Sequence, residues 1–235
     1  MQILSISKYE FLLLRRTVRF KLVILLYVSI IGLVNLLIAS KDQHGASPMI
    51  ISQLGFAPYV SAFFFSLISA FIIPFIVGNF LTDEKNARVN GVIYSKPISN
   101  IKYIIGKFIG TNFALITICL IAMSFSSVIQ LSFAERAYKL THYITSILLL
   151  CLPTIIFITG LVYFLNFSIK NRFLIFLISV GFSAFSIFIL GDRTYRLFDF
   201  AAITLPLNPS DIIGYGNINH EIMQRTAYTF LGLSL

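Results

Sequence analysis

Residues Phe108–Leu131, FIGTNFALITICLIAMSFSSVIQL, run for 24 positions without an Asp, Glu, Lys or Arg. At about 1.5 Å of rise per helical residue, some 20 apolar residues cross the roughly 30 Å hydrocarbon core of a bilayer, so this stretch reads as a membrane-spanning helix. Lipid offers the backbone no hydrogen bonds, and a helix satisfies its own N–H and C=O groups internally. Four more runs of this kind are Leu22–Ala39, Ala57–Phe80, Tyr143–Phe167 and Phe173–Leu190. Another begins at Thr226 and reaches the last residue, Leu235, too short to span. The expected fold is an all-α, polytopic transmembrane helix bundle with five complete spans plus the start of a sixth. It forms a single membrane domain over residues 1–235, expected to be C-terminally incomplete.

Composition points the same way. The chain has 235 residues, 57% hydrophobic and only 11% charged, and a mean hydropathy of +0.89. Too few charged side chains are present to coat a water-soluble globule, which excludes a soluble domain. The net charge of +9 lies in short clusters between the apolar runs, so it reads as a topology signal and not as a nucleic-acid footprint. On one side fall Lys8, Arg15, Arg16, Arg19, Lys21, Lys85, Arg88, Lys96, Lys102, Lys107, Lys170 and Arg172; on the other fall Lys41, Arg136, Lys139, Arg193, Arg196 and Arg225. Twelve against six places the N-terminus in the cytoplasm by the positive-inside rule, and puts His44, His142 and His220 on the outer side. The first apolar run has a long basic region before it and no small-residue cleavage site after Ala39, so it reads as a retained anchor and not a signal peptide. Cys119 and Cys151 lie inside apolar runs and read as small buried thiols.

Two polar segments stand out. In residues 1–21, Lys8, Arg15, Arg16 and Arg19 share one arc of a helical wheel while Phe11, Leu14 and Val18 gather on another. This is the pattern of an interfacial helix on the inner membrane surface, with Glu10 and Thr17 interrupting the apolar side. The alternative is a basic stop signal anchoring the first span. The second segment is Leu81–Lys107, LTDEKNARVNGVIYSKPISNIKYIIGK. Thr82 can cap a short helix with Asp83 and Glu84 in its favoured first turn, and Gly91 can end it. Pro97 holds Lys96 extended, and Ser99 offers an N-cap for the helix continuing into the third span. The alternative is a solvated loop.

At this loop the chain resembles the membrane subunits of type-2 ATP-binding-cassette (ABC) exporters. Carrying the resemblance are Glu84 after an apolar helix, Gly91, the Ser-x-Pro-x-Ser of Ser95, Pro97 and Ser99, and Gly106-Lys107 entering the next helix. The resemblance implies that residues 81–107 form a cytoplasmic coupling loop docking on a separate ABC ATP-binding subunit, with Asp83, Glu84, Arg88, Gly91 and Pro97 at the contact. It further implies a dimer of permease copies or homologues, an interfacial helix bearing Arg15, Arg16 and Arg19 against membrane lipids, and a bacterial cytoplasmic (inner) membrane. Cofactors are not expected on this chain, with ATP and Mg held by the partner subunit. The apolar patch within residues 191–225 is either short helices dipping into the outer leaflet or a folded outer loop.

Other signals are weaker. Gly106-Lys107 is followed by Phe108 and lacks the upstream glycine of a phosphate-cradling loop, so ATP hydrolysis by that route is excluded. The five runs contain no ionisable residue and the chain has no H-E-x-x-H, which disfavours an ion-coupled carrier or intramembrane protease. Gly106 and Gly110 make a small-xxx-small pair that lets another helix approach. Pro74 and Pro153 interrupt their helices. Ser61, Ser66, Ser69, Asn79, Thr111, Asn112 and Ser124 either line a path or bond helix to helix. Rival functions are a secondary carrier or channel and a non-transporting anchor or assembly protein.

The orientation is directly testable. A cysteine introduced at Ala46 is expected to react with an impermeant thiol reagent in intact cells and one at Asn90 to stay unlabelled; the reverse pattern overturns it.

Overall fold

The computed structural model describes residues 2–43, 56–77, 99–133, 139–169, 171–186, 209–210, 214–215 and 218–235. Its helices are α1 (Gln2–Arg16), α2 (Val18–Gln43), α3 (Phe56–Val77), α4 (Asn100–Phe133), α5 (Leu140–Ser146), α6 (Leu152–Ser168), α7 (Arg172–Phe185) and α8 (Ile218–Ser234). A π-helical turn, Ile147–Cys151, joins α5 to α6. The one departure from an all-helical fold among the described residues is a two-residue antiparallel ladder, in which Pro209 faces Tyr215 and Ser210 faces Gly214. Among the described residues, 4 helical stretches are long and apolar enough to cross a membrane: Val18–Ile38, Ala57–Val77, Asn100–Ser132 and Leu140–Ser168. Phe173–Phe185 is a shorter apolar helix. These five coincide with the five expected runs, although residues 78–80 and 187–190 of the second and fifth lie outside the described residues.

The N-terminal segment is not one continuous helix. It breaks at Thr17, whose hydroxyl accepts from the Phe20 N–H at 3.3 Å and donates to the Leu14 carbonyl at 2.7 Å. Thr17 is therefore the N-cap of α2, satisfying a donor that the start of a helix leaves open. Arg19 and Lys21 consequently belong to α2. Phe11 and Leu14 pack against the core as their arc implies, whereas Val18 is exposed because the break at Thr17 takes it out of the α1 wheel.

Pairings across the bundle fix helix directions. Tyr27 bonds Ser69 at 2.8 Å and Asn35 bonds Ser61 at 3.0 Å, so α2 and α3 are antiparallel. Gly32 meets the Phe125 ring and Asn35 meets Ser126, so α2 and α4 run parallel. Thr111 bonds Tyr163 at 3.0 Å while Ser126 lies 3.3 Å from the Tyr143 hydroxyl, which sets the α5–α6 rod antiparallel to α4. That rod is central and more deeply buried than α2. The Asn171 side chain accepts from the Phe173 N–H at 3.0 Å as the N-cap of α7, which runs back along α6 with Phe182 beside Phe157. Cys119 and Cys151 are buried free thiols.

Both prolines are accommodated within helix. Pro74 lies in the last turn of α3, which continues to Val77 and is not interrupted there. Pro153 follows the π-turn, in which the Leu152 N–H reaches back five residues to the Ile147 carbonyl. Proline has no N–H to give and its ring crowds the carbonyl four residues earlier, so widening the preceding turn relieves both problems.

The last helix starts at Ile218 and not with the apolar run at Thr226, so residues 218–225 leave the expected outer loop and join α8. Arg225, counted there as an outer loop charge, is instead buried in the helix. Its Nε donates to Glu221 Oε2 at 3.3 Å one turn earlier, and that carboxylate neutralises it. Helix α8 lies along α6, with Gly160 and Gly232 backbone to backbone. A Cβ on Gly232 would stand 2.6 Å from the Ile156 carbonyl oxygen, and one on Gly160 would overlap the Gly232 carbonyl. Close approach of this kind supplies van der Waals contact where lipid gives no hydrophobic drive between helices.

Gly160→Leu is expected to push α8 off α6 and cost about 1–3 kcal/mol, the usual range for overpacking. A lowered melting temperature of the detergent-purified protein checks this, with Gly181→Leu, which has nothing within 4 Å of its Cβ position, as the unaffected control.

Candidate functional site

The site builds from the base of α4. This helix has 34 residues, and at about 1.5 Å each that is longer than the roughly 30 Å of a hydrocarbon core. It begins where the sequence places Ser99 as its cap: the Ser99 carbonyl accepts the first helical bond from the Tyr103 N–H at 3.1 Å. The first two turns, Asn100 to Lys107, are the end of the expected coupling segment carried as rigid helix into the bundle.

Helix α1 is seated against this base. The small-residue pair forms the seat: a Cβ on Gly106 would lie 2.8 Å from Ile6 Cγ2, and one on Gly110 would lie 2.6 Å from the Ser7 carbonyl oxygen. Between the two glycines, Lys107 Nζ stands 3.6 Å from Glu10 Oε2, with the two side chains 9% and 10% exposed, and 5.5 Å from the centre of the Tyr103 ring. Glu10, an interruption of the apolar arc in the sequence, is thus turned inward by α1 together with Ser7. Lys107, counted with the loop charges, is a buried helix residue. Each charge offsets the other's desolvation.

Above this base, polar side chains join the spans. Asn35 donates to Ser61 at 3.0 Å, Ser61 and Ser126 share a bond of 2.8 Å, Ser126 donates to Asn35 Oδ1 at 3.2 Å, and Tyr143 donates to Gln130 at 2.8 Å. These buried groups tie α2, α3, α4 and α5 together near one end of the bundle. Nearer the other end, Thr159 donates to Asn112 at 3.1 Å and Thr111 bonds Tyr163, joining α6 to α4. Of the polar residues in the apolar runs, Ser61, Ser69, Thr111 and Asn112 therefore bond helix to helix. Ser66 is buried, Ser124 lends its carbonyl to Ser127, and Asn79 lies outside the described residues.

Arg15 and Arg16 occupy the last turn of α1 and Arg19 the first turn of α2, all three exposed. Asp83, Glu84, Arg88, Gly91 and Pro97 lie outside the described residues, as do residues 191–208 of the outer segment. The Glu10–Lys107 and Glu221–Arg225 pairs escaped the sequence reading. Their signal was a lone acid on an apolar arc and an acid four residues before a base.

The model of the family described as ABC-2 family transporter protein matches residues 46–219, about three quarters of the chain. The chain belongs to the ABC-2 transporter family. It is thus a multi-pass membrane permease subunit of an ABC transporter, a membrane-spanning partner and not the ATPase, and membership implies association with an ATP-binding subunit. No match was found among curated proteins. The matched region includes the segment 81–107 and excludes α1, which lies before residue 46.

Asn35→Ala is expected to cost this ABC-2 permease about 1–2 kcal/mol, since it opens the buried network at two of its bonds. Thermal unfolding in detergent checks it, with Ser29→Ala, an exposed residue bonded only within its own turn at 2.9 Å, as the neutral comparison.

Proposed function

We propose that this chain forms the substrate path of an ATP-driven exporter in a bacterial cytoplasmic membrane, as one of two permease copies or homologues bound to two ATP-binding subunits. The observation that carries this reading is the family match over residues 46–219, which runs through the polar segment 81–107 and into α4. The N-terminus is cytoplasmic. Five spans and the start of a sixth surround the path. Residues 81–107 dock into a groove on the ATP-binding subunit, which holds ATP and Mg, and Asp83, Glu84, Arg88, Gly91 and Pro97 form the contact. Closure of the two ATP-binding subunits moves two such loops and rocks the spans between inward- and outward-open arrangements.

Residue chemistry supports these roles. An acidic pair at a helix start is stabilised by the open N–H groups there and still presents carboxylates to a basic partner groove. Arg15, Arg16 and Arg19 are exposed beside exposed Leu12 and Leu13, a mixture suited to anionic headgroups at the inner surface. Helix α4 extends past the bilayer thickness, and a rigid extension transmits force better than a loop does.

Glu84→Arg tests the reading. Wild-type protein purified in mild detergent is expected to bring an ATP-binding-cassette subunit with it and to hydrolyse ATP, and the variant to lose most of both while inserting normally. A wild-type protein that stays partner-free under several gentle conditions points instead to a carrier or anchor.

A further inference from the structure

Helix α1 precedes the region matched by the family, yet it makes an extensive packing contact with α4 at the point where the segment 81–107 enters the bundle. Three independent features hold it there. Gly106 and Gly110 leave no room for a Cβ between the helices: one on Gly106 would meet the Ile6 side chain at 2.8 Å and the Ile3 carbonyl at 3.2 Å, and one on Gly110 would meet the Ser7 carbonyl at 2.6 Å. Glu10 and Lys107 are buried as a pair. Beyond Arg16 the chain turns at once into α2 through the Thr17 cap, so α1 has little freedom to follow anything except α4 and the start of α2.

Packing or greasy contacts alone would hold α1 more cheaply. A buried ion pair is a poor source of stability against an apolar pair of the same size, because both ions lose water. What it adds is register: an acid and a base on facing helices match at one sliding position and one rotation only. Placed between two glycines on α4, the pair fixes α1 along and around that helix.

We propose that Glu10 and Lys107 are positioning residues that make α1 and the base of α4 one lever, so that movement imposed at residues 81–107 is delivered to the inner membrane surface through the basic face of α1 as well as into the bundle through α4. This rests on the coupling role proposed above for residues 81–107. Arg15 and Arg16, on the exposed side of α1, are then the load that the lever carries.

The test uses the whole transporter with its ATP-binding subunit in proteoliposomes, with Cys119 and Cys151 replaced by alanine. Spin labels go on the exposed positions Tyr9 of α1, Ile101 of α4 and Phe173 of α7. Distances are compared between the nucleotide-free and the vanadate-trapped complex. The 9–101 distance is expected to stay the same while the 9–173 distance shifts by more than the width of its nucleotide-free distribution. Glu10→Lys is expected to broaden the 9–101 distance and make it nucleotide-dependent, Glu10→Gln to do so more weakly, and the exchange Glu10→Lys with Lys107→Glu to restore one narrow, nucleotide-independent distance. A 9–101 distance that changes on trapping in the unsubstituted pair, or an exchange variant that behaves like Glu10→Lys, overturns the lever. A complex in which neither distance responds to trapping overturns the coupling reading, and the lever with it.

Discussion

Close approach of helix backbones at glycine organises this bundle. In water, apolar faces come together because burying them releases solvent, but lipid tails are as apolar as leucine and give no such drive. Helices in a membrane must find other reasons to associate. Here Gly160 and Gly232 bring α6 and α8 together, Gly106 and Gly110 bring α1 onto α4, and Gly32 accepts the Phe125 ring between α2 and α4. At Gly160, Gly232 and Gly110 a side chain is exchanged for backbone proximity, and at Gly32 it is exchanged for room for a ring. Together they set where the larger residues can pack.

Polar groups then specify which of the possible registers is adopted. The Asn35–Ser61–Ser126 triangle closes only when α2, α3 and α4 meet at one height, and the Tyr27–Ser69 bond repeats the constraint two turns away. Each bond contributes on average about 0.6 kcal/mol in a membrane interior, so no single one holds the bundle. Their value lies in agreement: several weak bonds on different helices are satisfied by the same arrangement. The ion pairs follow the same logic at higher stakes, since a misplaced buried charge costs far more than a misplaced hydroxyl.

Much of the fold was legible because the bilayer reduces the problem to counting. Uncharged runs of helical length fall on the four helical stretches long enough to span among the described residues and on the shorter apolar helix Phe173–Phe185, although α4 starts eight residues before its run, and Ser99 and the Gly106–Gly110 pair stand where the sequence puts them. The failures share one cause. Glu10 and Thr17 looked like flaws in an amphipathic wheel, although one faces α4 and the other caps α2. Arg225 resembles a loop charge in the sequence, but a carboxylate one turn away at Glu221 lets the helix continue through it. A wheel or a window sees one segment at a time, and the meaning of an isolated polar residue lies in the segment it meets. The residues expected to contact an ATP-binding subunit drew on family resemblance, and Asp83, Glu84, Arg88, Gly91 and Pro97 lie outside the described residues.

The π-turn of Ile147–Cys151 has a rotational consequence. Tyr143 and Tyr163 both turn toward α4, one to Ser126 and the other to Thr111, although they sit 20 residues apart on the α5–α6 rod. At about 100° per residue an unbroken α-helix would point them to nearly opposite sides. A π-turn acts as a single inserted residue and takes about 100° out of that angle, bringing both hydroxyls within reach of one neighbouring helix. The rod is therefore two half-helices set at a deliberate phase offset, and one surplus residue allows the central helix to keep the same neighbour over both halves of the membrane.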